Sequence, residues 1–295
     1  MRAAIVTGGR LEVGERPDPV PRPGEILIRV RAAGINGADL MQRAGRYPPP
    51  AGAPADVPGL ECAGEVEATG ERVMALLPGG GQAELATVDE RHVLPVPDGV
   101  DWPAAGGFME VFATAHDALF SQAELRAGER LLVNGAAGGV GTAAVQLGIA
   151  AGAEVTGTAR RHADRVRALG AGSEPDGEYD VILELVGGDN LAVDLERLAL
   201  RGRLAVIGTG AGSRAELDFG LLMRKRGRIH GSTLRSRSGE EKALVVDRLA
   251  HDVLPLLAAG RVSVAVHESF PLERAQEAYD AFAAGGKFGK LVLVP

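Results

Sequence analysis

A glycine-rich turn between an apolar stretch and a helical pattern is the strongest chemical signal in this sequence. Residues 131–141 read Leu-Leu-Val-Asn-Gly-Ala-Ala-Gly-Gly-Val-Gly, with Gly135, Gly138 and Gly141 at regular spacing. Glycine permits a tight turn and the close approach of a pyrophosphate, and the free N–H groups at the start of the following helix hold its negative charge. The turn therefore predicts a dinucleotide site. The alternative is a tight turn between packed elements that binds nothing.

The residues after the next predicted strand bear on which dinucleotide is bound. NAD-binding folds usually carry Asp or Glu at the end of that strand, where the carboxylate bonds the ribose. Here the strand ends at Thr158 without a carboxylate, and Arg160 and Arg161 follow. Guanidinium groups match phosphate oxygens, so we predict NADPH rather than NADH. The alternative is a solvated basic start of the next helix.

Cysteine and histidine are too sparse to predict a metal site. Cys62 is the single cysteine, and the six histidines show neither HxxxH nor HExxH spacing. A disulfide within the chain and a four-cysteine zinc site are therefore excluded. A lone cysteine suits a reducing compartment. We predict no bound metal.

The elements that position these groups change in type along the chain. The first hundred residues are predicted to be rich in strands, interrupted by proline loops at 17–23 and 47–58. From Arg130 onward, strand and helix patterns alternate, which predicts an α/β fold with a doubly wound parallel sheet. The predicted strands are 3–6, 25–32, 63–67, 130–134, 154–158, 180–185, 203–207, 228–234 and 290–294. The predicted helices are 37–44, one capped by Asp101, 140–151, 162–169, 191–200, 240–259 and 272–283.

Composition sets the class of protein. The chain has 295 residues, which suggests two domains, and 45% of them are hydrophobic and 24% charged, as in ordinary globular proteins. A formal charge of -7 argues against a nucleic-acid binder, and the basic run 224–228 is interpreted as a solvated turn. Residues 131–153 lack charge over a length that could span a bilayer, but their glycines favour a strand, a turn and a buried helix. Because the N-terminus has no signal-peptide pattern, we expect a cytoplasmic protein without membrane partners.

Several segments together resemble the zinc-independent quinone oxidoreductases of the medium-chain dehydrogenase/reductase superfamily, the zeta-crystallin-like group. The resemblance covers nearly the whole chain. The matching segments are 33–43, 45–48, 58–61, 136–141, 143–147 and 285–293. Segments 74–83 and 234–237 are especially similar to the stress-inducible NADPH quinone reductase branch.

The resemblance implies a split architecture. A GroES-like β-rich catalytic domain would comprise residues 1–114 and the C-terminal tail 253–295, and a Rossmann domain that binds NADPH would comprise residues 115–252. The active site would lie in the cleft between the domains, at the carboxyl ends of the parallel strands. Relatives are commonly homodimers or tetramers, which predicts a homodimer paired near residues 229–234.

The resemblance also implies the site residues. Zinc-dependent relatives bind metal through a Cys and a Gly-His-Glu, and the matching positions here are Asn36 and Gly59-Leu60-Glu61, so the zinc is expected to be absent and Cys62 to be packing. Asn36 and Tyr47 are the predicted catalytic residues. Asn36 would hydrogen-bond the nicotinamide ribose or the substrate carbonyl, and Tyr47 would form one wall of the cleft and point its hydroxyl at the substrate oxygen. The alternative for Tyr47 is a ring packed on its own proline loop.

Cofactor contacts are carried over in the same way. The predicted cofactor-binding residues are Asn36, Thr114, Gly138, Gly139, Val140, Thr158, Arg160, Arg161, Val186, Ile207, Gly208, Leu234, Phe288 and Gly289. For Val186, Ile207 and Leu234, a plain core position is an equal alternative. Glu110 is either a carboxylate of the cleft or a solvated surface group.

The chain departs from its relatives in two respects. It is shorter than its relatives between Thr69 and Val73 and between Ala171 and Asp180, and it lacks a lysine in the second βα turn.

Three functions stay open at this point. The leading hypothesis is an NADPH-dependent reductase that transfers hydride to a small-molecule quinone. The alternatives are reduction of the double bond of an enone, alkenal or enoyl thioester, and an NADPH-binding protein without catalysis.

Overall fold

The computed structural model describes residues 1–295 and divides them into two compact units. Unit 1 comprises Met1–Ala113 and Leu234–Pro295, and unit 2 comprises Thr114–Thr233. Residues 234–252, which the sequence interpretation assigned to the Rossmann part, group with unit 1.

Unit 1 is built mainly of antiparallel strands. The strands are β1 (Arg2–Thr7), β2 (Arg10–Glu15), β3 (Glu25–Ile35), β4 (Glu61–Val66), β5 (Arg72–Leu76), β6 (Leu85–Asp89), β7 (Val93–Pro95), β13 (Val266–Pro271) and β14 (Lys290–Val294). Its seven-stranded sheet has the order β13-β14-β3-β4-β5-β7, with β6 also paired to β3, and a separate hairpin joins β1 and β2. The helices are α1 (Gly37–Arg43), α2 (Trp102–Gly106), α8 (Gly239–Asp252), α9 (Leu254–Ala258) and α10 (Ala275–Ala284). Short helical turns lie at Glu90–His92 and Leu272–Arg274.

The side-chain pattern of β3 explains its place in the sheet. Ile28 and Val30 are buried while Arg29 and Arg31 are exposed, the alternation expected when one face of a strand meets a core. The last four residues, from Ala32 to Ile35, are all buried. The carboxyl end of β3 therefore enters the interior of unit 1, and it delivers the next residue, Asn36, there.

Unit 2 holds a sheet of five parallel strands. They are β8 (Arg130–Asn134), β9 (Glu154–Thr158), β10 (Tyr179–Glu184), β11 (Leu198–Val206) and β12 (Arg228–Gly231), and their order in the sheet is β12-β11-β10-β8-β9. The helices are α4 (Gly139–Ala150), α5 (Ala163–Ala168), α6 (Asn190–Arg197) and α7 (Phe219–Lys225); α3 (Met109–His116) crosses the unit boundary and leads into a helical turn at Asp117–Gln122. The three leucine and valine residues inside β8 are fully buried, as in parallel sheets covered on both faces.

The strand order places a switch point in unit 2. The chain moves from β8 outward to β9 and then returns past β8 to β10, so the order reverses between β8 and β10. In open parallel sheets, ligands bind outside the carboxyl ends of the strands at such a point. The predicted fold class, a GroES-like β-rich part and an inserted doubly wound sheet, is confirmed.

Several predicted boundaries were wrong for local reasons. The helix predicted over 191–200 ends at Arg197, because the buried Leu198 pairs with Tyr179 and starts β11. The helix predicted over 240–259 is two helices, and Pro255, which lacks a donor, lies in the first turn of the second. The strand predicted over 228–234 ends at Gly231.

One helix was missed by the sequence analysis. Helix α7 is capped by the Asp218 carboxylate, which accepts a hydrogen bond from the Leu221 N–H at 2.9 Å, and it ends in basic residues. These are the usual start and stop signals of a helix. The run interpreted as a solvated turn is thus partly helical, and Lys225 within it donates to the Leu198 carbonyl.

The uncharged stretch 131–153 is confirmed as a strand, a turn and a buried helix. None of the helices combines the length and the apolar content that crossing a membrane requires.

Candidate active site

The carboxyl ends of three neighbouring strands in unit 2 form one row. Asn134 of β8 is in register with Thr158 of β9 on one side and with Glu184 of β10 on the other. The Thr158 hydroxyl donates to Asn134 Oδ1 at 2.8 Å, and Asn134 Nδ2 donates to Glu184 Oε2 at 2.8 Å. Side chains therefore tie the three strand ends together on both sides of the switch point.

The glycine turn lies directly after this row. Gly135 has φ +80°, a conformation that favours glycine, and the N–H groups of Gly135 and Ala136 donate to the Thr158 carbonyl at 3.1 and 2.9 Å. A Cβ on Gly141 would lie 2.3 Å from the Gly135 carbonyl oxygen, so the turn packs against the helix start without room for a side chain.

The first backbone N–H groups of α4 have no hydrogen-bond acceptor within the helix. Gly138 precedes the helix, no side chain caps it, and the first intrahelical bond runs from the Thr142 N–H to the Gly138 carbonyl. The N–H groups of residues 139–141 consequently have no acceptor within the helix. A twelve-residue helix with uncapped donors at a switch point fits the pyrophosphate of a dinucleotide. Gly138, Gly139 and Val140 form this helix start, and their contact with a pyrophosphate stays a prediction.

A second carboxyl joins the strand-end row from α6. Asn134 Nδ2 also donates to Asp194 Oδ1 at 2.6 Å, and Asp194 is buried. Burial, and then a hydrogen bond and repulsion from Glu184, raise the pKa of Asp194 to about 8. Asp194 is therefore protonated at neutral pH beneath the glycine turn.

Glu184 shapes the next turn. Its Oε1 accepts hydrogen bonds from the Val186 and Gly187 N–H groups, the second at 2.7 Å. The Glu184 carbonyl accepts from the N–H groups of Ile207 and Gly208 at 2.9 and 3.1 Å. Val186, Ile207 and Gly208 are half-buried beyond the ends of β10 and β11, so the plain-core alternative does not describe Val186 and Ile207 fully.

The residues predicted to read the cofactor's adenosine phosphate lie beyond β9. Arg160 and Arg161 are both exposed, and neither has an ion pair or a hydrogen-bond partner in the structure. Their guanidinium groups are free to bind an anion. The Thr158 hydroxyl, in contrast, is engaged by Asn134, so its side chain braces the turn.

Asn36 stands at the centre of a buried polar cluster in unit 1. Lys290 Nζ donates to Asn36 Oδ1 at 2.7 Å and to Glu61 Oε1 at 2.6 Å, and Asn36 Nδ2 donates to Glu61 Oε1 at 2.9 Å. Glu61 is fully buried and Lys290 is 2% exposed. Paired in this way, the two charges satisfy each other and hold the asparagine amide between them.

A further layer supports Asn36 from below. The Asp39 carboxylate accepts hydrogen bonds from the N–H groups of Asn36 at 2.8 Å and Gly59 at 3.0 Å. Burial raises the pKa of Asp39 to about 6, although these bonds oppose the shift. Gln82 contacts Asp39 at 3.5 Å and accepts from the Tyr279 hydroxyl at 2.7 Å. The start of α1 is therefore anchored by buried polar contacts.

Arg235 holds the loop that carries Tyr47. Its guanidinium donates to Gln42 Oε1 at 2.6 Å, to the Pro78 carbonyl at 2.9 Å and to the Tyr47 carbonyl at 3.2 Å, and it lies 5.2 Å from the centre of the Tyr47 ring. Tyr47 is half-buried and its hydroxyl has no partner in the structure. Burial raises the pKa of Tyr47, so the hydroxyl is a proton donor at neutral pH. The ring packs on Arg235 rather than only on its own prolines.

Glu110 on α3 is tied to the same cluster. Its N–H donates to Glu61 Oε2 at 2.9 Å. Burial, and then repulsion from Glu61, raise the pKa of Glu110 to about 8. Glu110 is half-buried, so the solvated surface group does not describe it. Thr114, one turn further along α3, is half-buried.

The remaining predicted cofactor residues lie in unit 1. Leu234 and Phe288 are buried. Gly289 has φ +80°, and a Cβ there would lie 1.9 Å from the Ala265 carbonyl oxygen, so only glycine fits. Gly289 thereby sets the path of the chain into Lys290.

Comparisons with known proteins agree with this construction. The family model of the alcohol dehydrogenase GroES-like domain matches residues 22–98, and that of the zinc-binding dehydrogenases matches residues 154–293. A quinone oxidoreductase of Mus musculus is 31% identical over 94% of this chain and 91% of its own length. A quinone oxidoreductase of Pseudomonas aeruginosa is 31% identical over 97% of this chain and 95% of its own length. The chain belongs to the quinone oxidoreductase family.

A solved member of the family shows the same fold. The quinone oxidoreductase of Thermus thermophilus, determined alone and in complex with NADPH, is 32% identical with a TM-score of 0.85 over the whole of both chains. The predicted family and superfamily are confirmed, and the chain is an oxidoreductase.

The name of the second family model raises the question of zinc, which the residues of this chain do not fit. Leu60 is aliphatic, Asn36 has its amide engaged, and the Lys290 ammonium already lies among the oxygens of Asn36 and Glu61. No three His, Cys, Asp or Glu side chains in the chain form a group that could hold a metal ion. Cys62 is fully buried, and burial raises its pKa to about 12, so packing is confirmed for it.

The sequence analysis did not predict the residues that support the candidate site residues within each unit. Lys290, Arg235 and Asp194 were not predicted as site residues, although Arg235 lies in the segment 234–237 that carries the resemblance. A lone lysine in an apolar final strand is the one local signal that pointed to Lys290, because a buried lysine needs a partner.

Proposed function

We propose that this protein is an NADPH-dependent reductase of quinones that works without zinc. The observation that carries the proposal is the replacement of a metal-ligand set by the cluster of Asn36, Glu61 and Lys290. An oxidoreductase without a Lewis acid suits an acceptor that is already electron-poor, and a quinone is such an acceptor. The quinone oxidoreductase names of the relatives support the same class.

NADPH binding is supported by unit 2. We propose that the uncapped N–H groups at the start of α4 hold the pyrophosphate and that Arg160 and Arg161 bind the 2′-phosphate. Thr158 and Asn134 brace this region, and Val186, Ile207 and Gly208 line the neighbouring strand ends. The relative solved with NADPH supports the choice of cofactor.

The chain's own residues supply orientation and a proton. When bound, NADPH supplies the hydride. Asn36 donates a hydrogen bond to an acceptor oxygen, and Tyr47, with its pKa raised by burial, offers a hydroxyl proton. The quinone thus gains a hydride and one proton to give the hydroquinone, and the hydroxyl recovers its proton from solvent. Thr114, Leu234, Phe288 and Gly289 remain proposed contacts of the nicotinamide part.

The test is NADPH oxidation by the purified protein with an ortho-quinone and a simple enone side by side, and with NADH as the control cofactor. We expect faster turnover with the quinone and with NADPH. Turnover with the enone alone would move the assignment to a double-bond reductase. NADPH binding without turnover on either acceptor would favour the non-catalytic binding protein.

A further inference from the structure

The Asn36 amide lies between two groups of opposite hydrogen-bonding character. An ammonium group only donates hydrogen bonds, and a carboxylate only accepts them. Lys290 Nζ faces Asn36 Oδ1, whereas Glu61 Oε1 faces Asn36 Nδ2. A flipped amide would set a donor against the ammonium and an acceptor against the carboxylate, so the chemistry of the neighbours fixes the orientation of the amide.

Both neighbours are themselves fully engaged and cannot turn away. The three N–H bonds of Lys290 go to Glu61 Oε1, Asn36 Oδ1 and the Ile35 carbonyl, at 2.6, 2.7 and 3.0 Å. The second oxygen of Glu61 accepts from the Glu110 N–H at 2.9 Å. The ion pair is therefore a rigid frame around the amide.

The surrounding backbone leaves no room for another arrangement. A Cβ on Gly34 would lie 2.3 Å from Glu61 Oε1, and one on Gly107 would lie 3.3 Å from the Lys290 side chain. Glycine at both positions lets the charged side chains pass close to the main chain. The backbone around Glu61 and Lys290 therefore accommodates this ion pair closely.

One N–H of the amide is left over. Asn36 Nδ2 carries two hydrogens, and Glu61 accepts one of them; the second has no partner in the structure, and Asn36 retains 8% exposure. Since the amide oxygen already accepts from Lys290, the remaining N–H is the group that Asn36 offers a ligand. A donor stabilises an oxygen that gains negative charge, and it does so more in the transition state than in the ground state.

We propose that Lys290 and Glu61 are positioning residues that make Asn36 a one-way hydrogen-bond donor to the carbonyl oxygen of the quinone. The inference rests on the proposed function and deepens it. Hydride addition to a quinone leaves the electron pair on that oxygen until a proton arrives, and the fixed N–H meets the charge there. The pair itself does not touch the substrate.

The test is a double-mutant cycle between the amide and its frame. Asn36→Ala removes the donor, and the double change Glu61→Gln with Lys290→Met replaces the buried ion pair by neutral side chains of similar shape. We expect Asn36→Ala to lower kcat with an ortho-quinone about 100-fold. We expect the double change at Glu61 and Lys290, the frame variant, to lower kcat about tenfold. In both variants the KM for NADPH should stay within about twofold of that of the unaltered protein. Because the frame acts through Asn36, we expect the triple variant to equal Asn36→Ala.

The matched control is Arg31→Met with Glu65→Gln, an exposed ion pair between β3 and β4 with a contact of 2.7 Å. It should leave kcat unchanged. If the frame variant does not fold, Glu61→Gln alone enters the same cycle, with an expected loss of about threefold that again vanishes in the Asn36→Ala background.

The outcomes separate the two proposals. Multiplicative losses in the triple variant would overturn the positioning role while leaving the quinone reductase intact. A raised NADPH KM at unchanged kcat would assign the Asn36 donor to the cofactor ribose and overturn the inference. Absence of quinone turnover in the unaltered protein would overturn the proposed function and the inference together.

Discussion

Among single residues, the arginines after β9 are the ones that we propose to select NADPH over NADH. Arg160 and Arg161 are exposed and unpaired, so an added phosphate gains charge-assisted hydrogen bonds without breaking existing ones. We expect Arg160→Ala with Arg161→Ala to raise the KM for NADPH about 10- to 100-fold and to change the KM for NADH little. Steady-state kinetics with both cofactors measures this.

The matched control for that variant is Arg10→Ala with Arg261→Ala, which removes two exposed arginines of unit 1. It should leave both constants unchanged. Equal increases for NADPH and NADH in the Arg160 and Arg161 variant would show that the arginines do not recognise the phosphate.

Tyr47 is the second residue whose role is testable by itself. Its hydroxyl has no partner in the structure, and because burial raises its pKa the hydroxyl keeps its proton at neutral pH. We expect Tyr47→Phe to lower kcat with a quinone by about tenfold or more, because the ring remains on Arg235 while the proton is lost. The measurement is kcat at saturating NADPH, with thermal unfolding as the check on packing. An unchanged kcat would return Tyr47 to a packing role.

At the scale of the elements, the strand-end row of unit 2 makes stability depend on pH. The pKa of Asp194 is raised from 3.8 to about 8, so the folded protein binds a proton that the unfolded chain releases. This stabilisation is fully present below the ordinary pKa of 3.8, and it is lost as the pH rises towards about 8. Asp194→Asn keeps an acceptor for the Asn134 amide but cannot titrate, so its stability should not fall over this pH range.

Thermal unfolding measured at several pH values checks the expectation. The Tm of Asp194→Asn relative to the unaltered protein should increase by several degrees between about pH 5 and about pH 8. Asp189→Asn, an exposed carboxyl near the start of the same helix, is the control and should follow the unaltered protein. Parallel curves for the Asp194 variant would contradict the raised pKa of Asp194.

At the scale of the whole molecule, the predicted homodimer has a definite place to be tested. Strand β12 pairs only with β11 and so leaves one edge open, and the preceding helix exposes Phe219 by 69% and Met223 by 76%. Open edges beside apolar side chains favour association. We expect a solution mass of twice 30.5 kDa and a shift to 30.5 kDa in Phe219→Glu with Met223→Glu.

Light scattering after size exclusion gives both masses. Val20→Glu with Leu244→Glu, which changes two exposed apolar residues of unit 1, is the control and should keep the mass of the unaltered protein. A monomer in the unaltered protein, or a dimer that survives the paired glutamates, would remove this edge from the interface.

The features that depend on near neighbours in the chain could be predicted from the amino-acid sequence. The strand, glycine turn and helix at 130–150 follow from local hydrophobicity and from glycine's freedom at Gly135, and they were predicted almost to the residue. The cap at Asp101 also follows from a short-range pattern. The family resemblance added Asn36 and Tyr47 as site residues, whose roles stay predictions.

Contacts between residues that lie far apart in the chain could be identified only from the folded structure. Lys290 lies 254 residues from Asn36 in the chain, and β14 reaches β3 through antiparallel pairing that no local pattern specifies. Likewise, the proton on Asp194 depends on Glu184 and on burial, and Arg235 reaches Tyr47 across 188 positions. The protonation state of a buried group depends on its partners and on the loss of water around it, and both exist only in the folded chain.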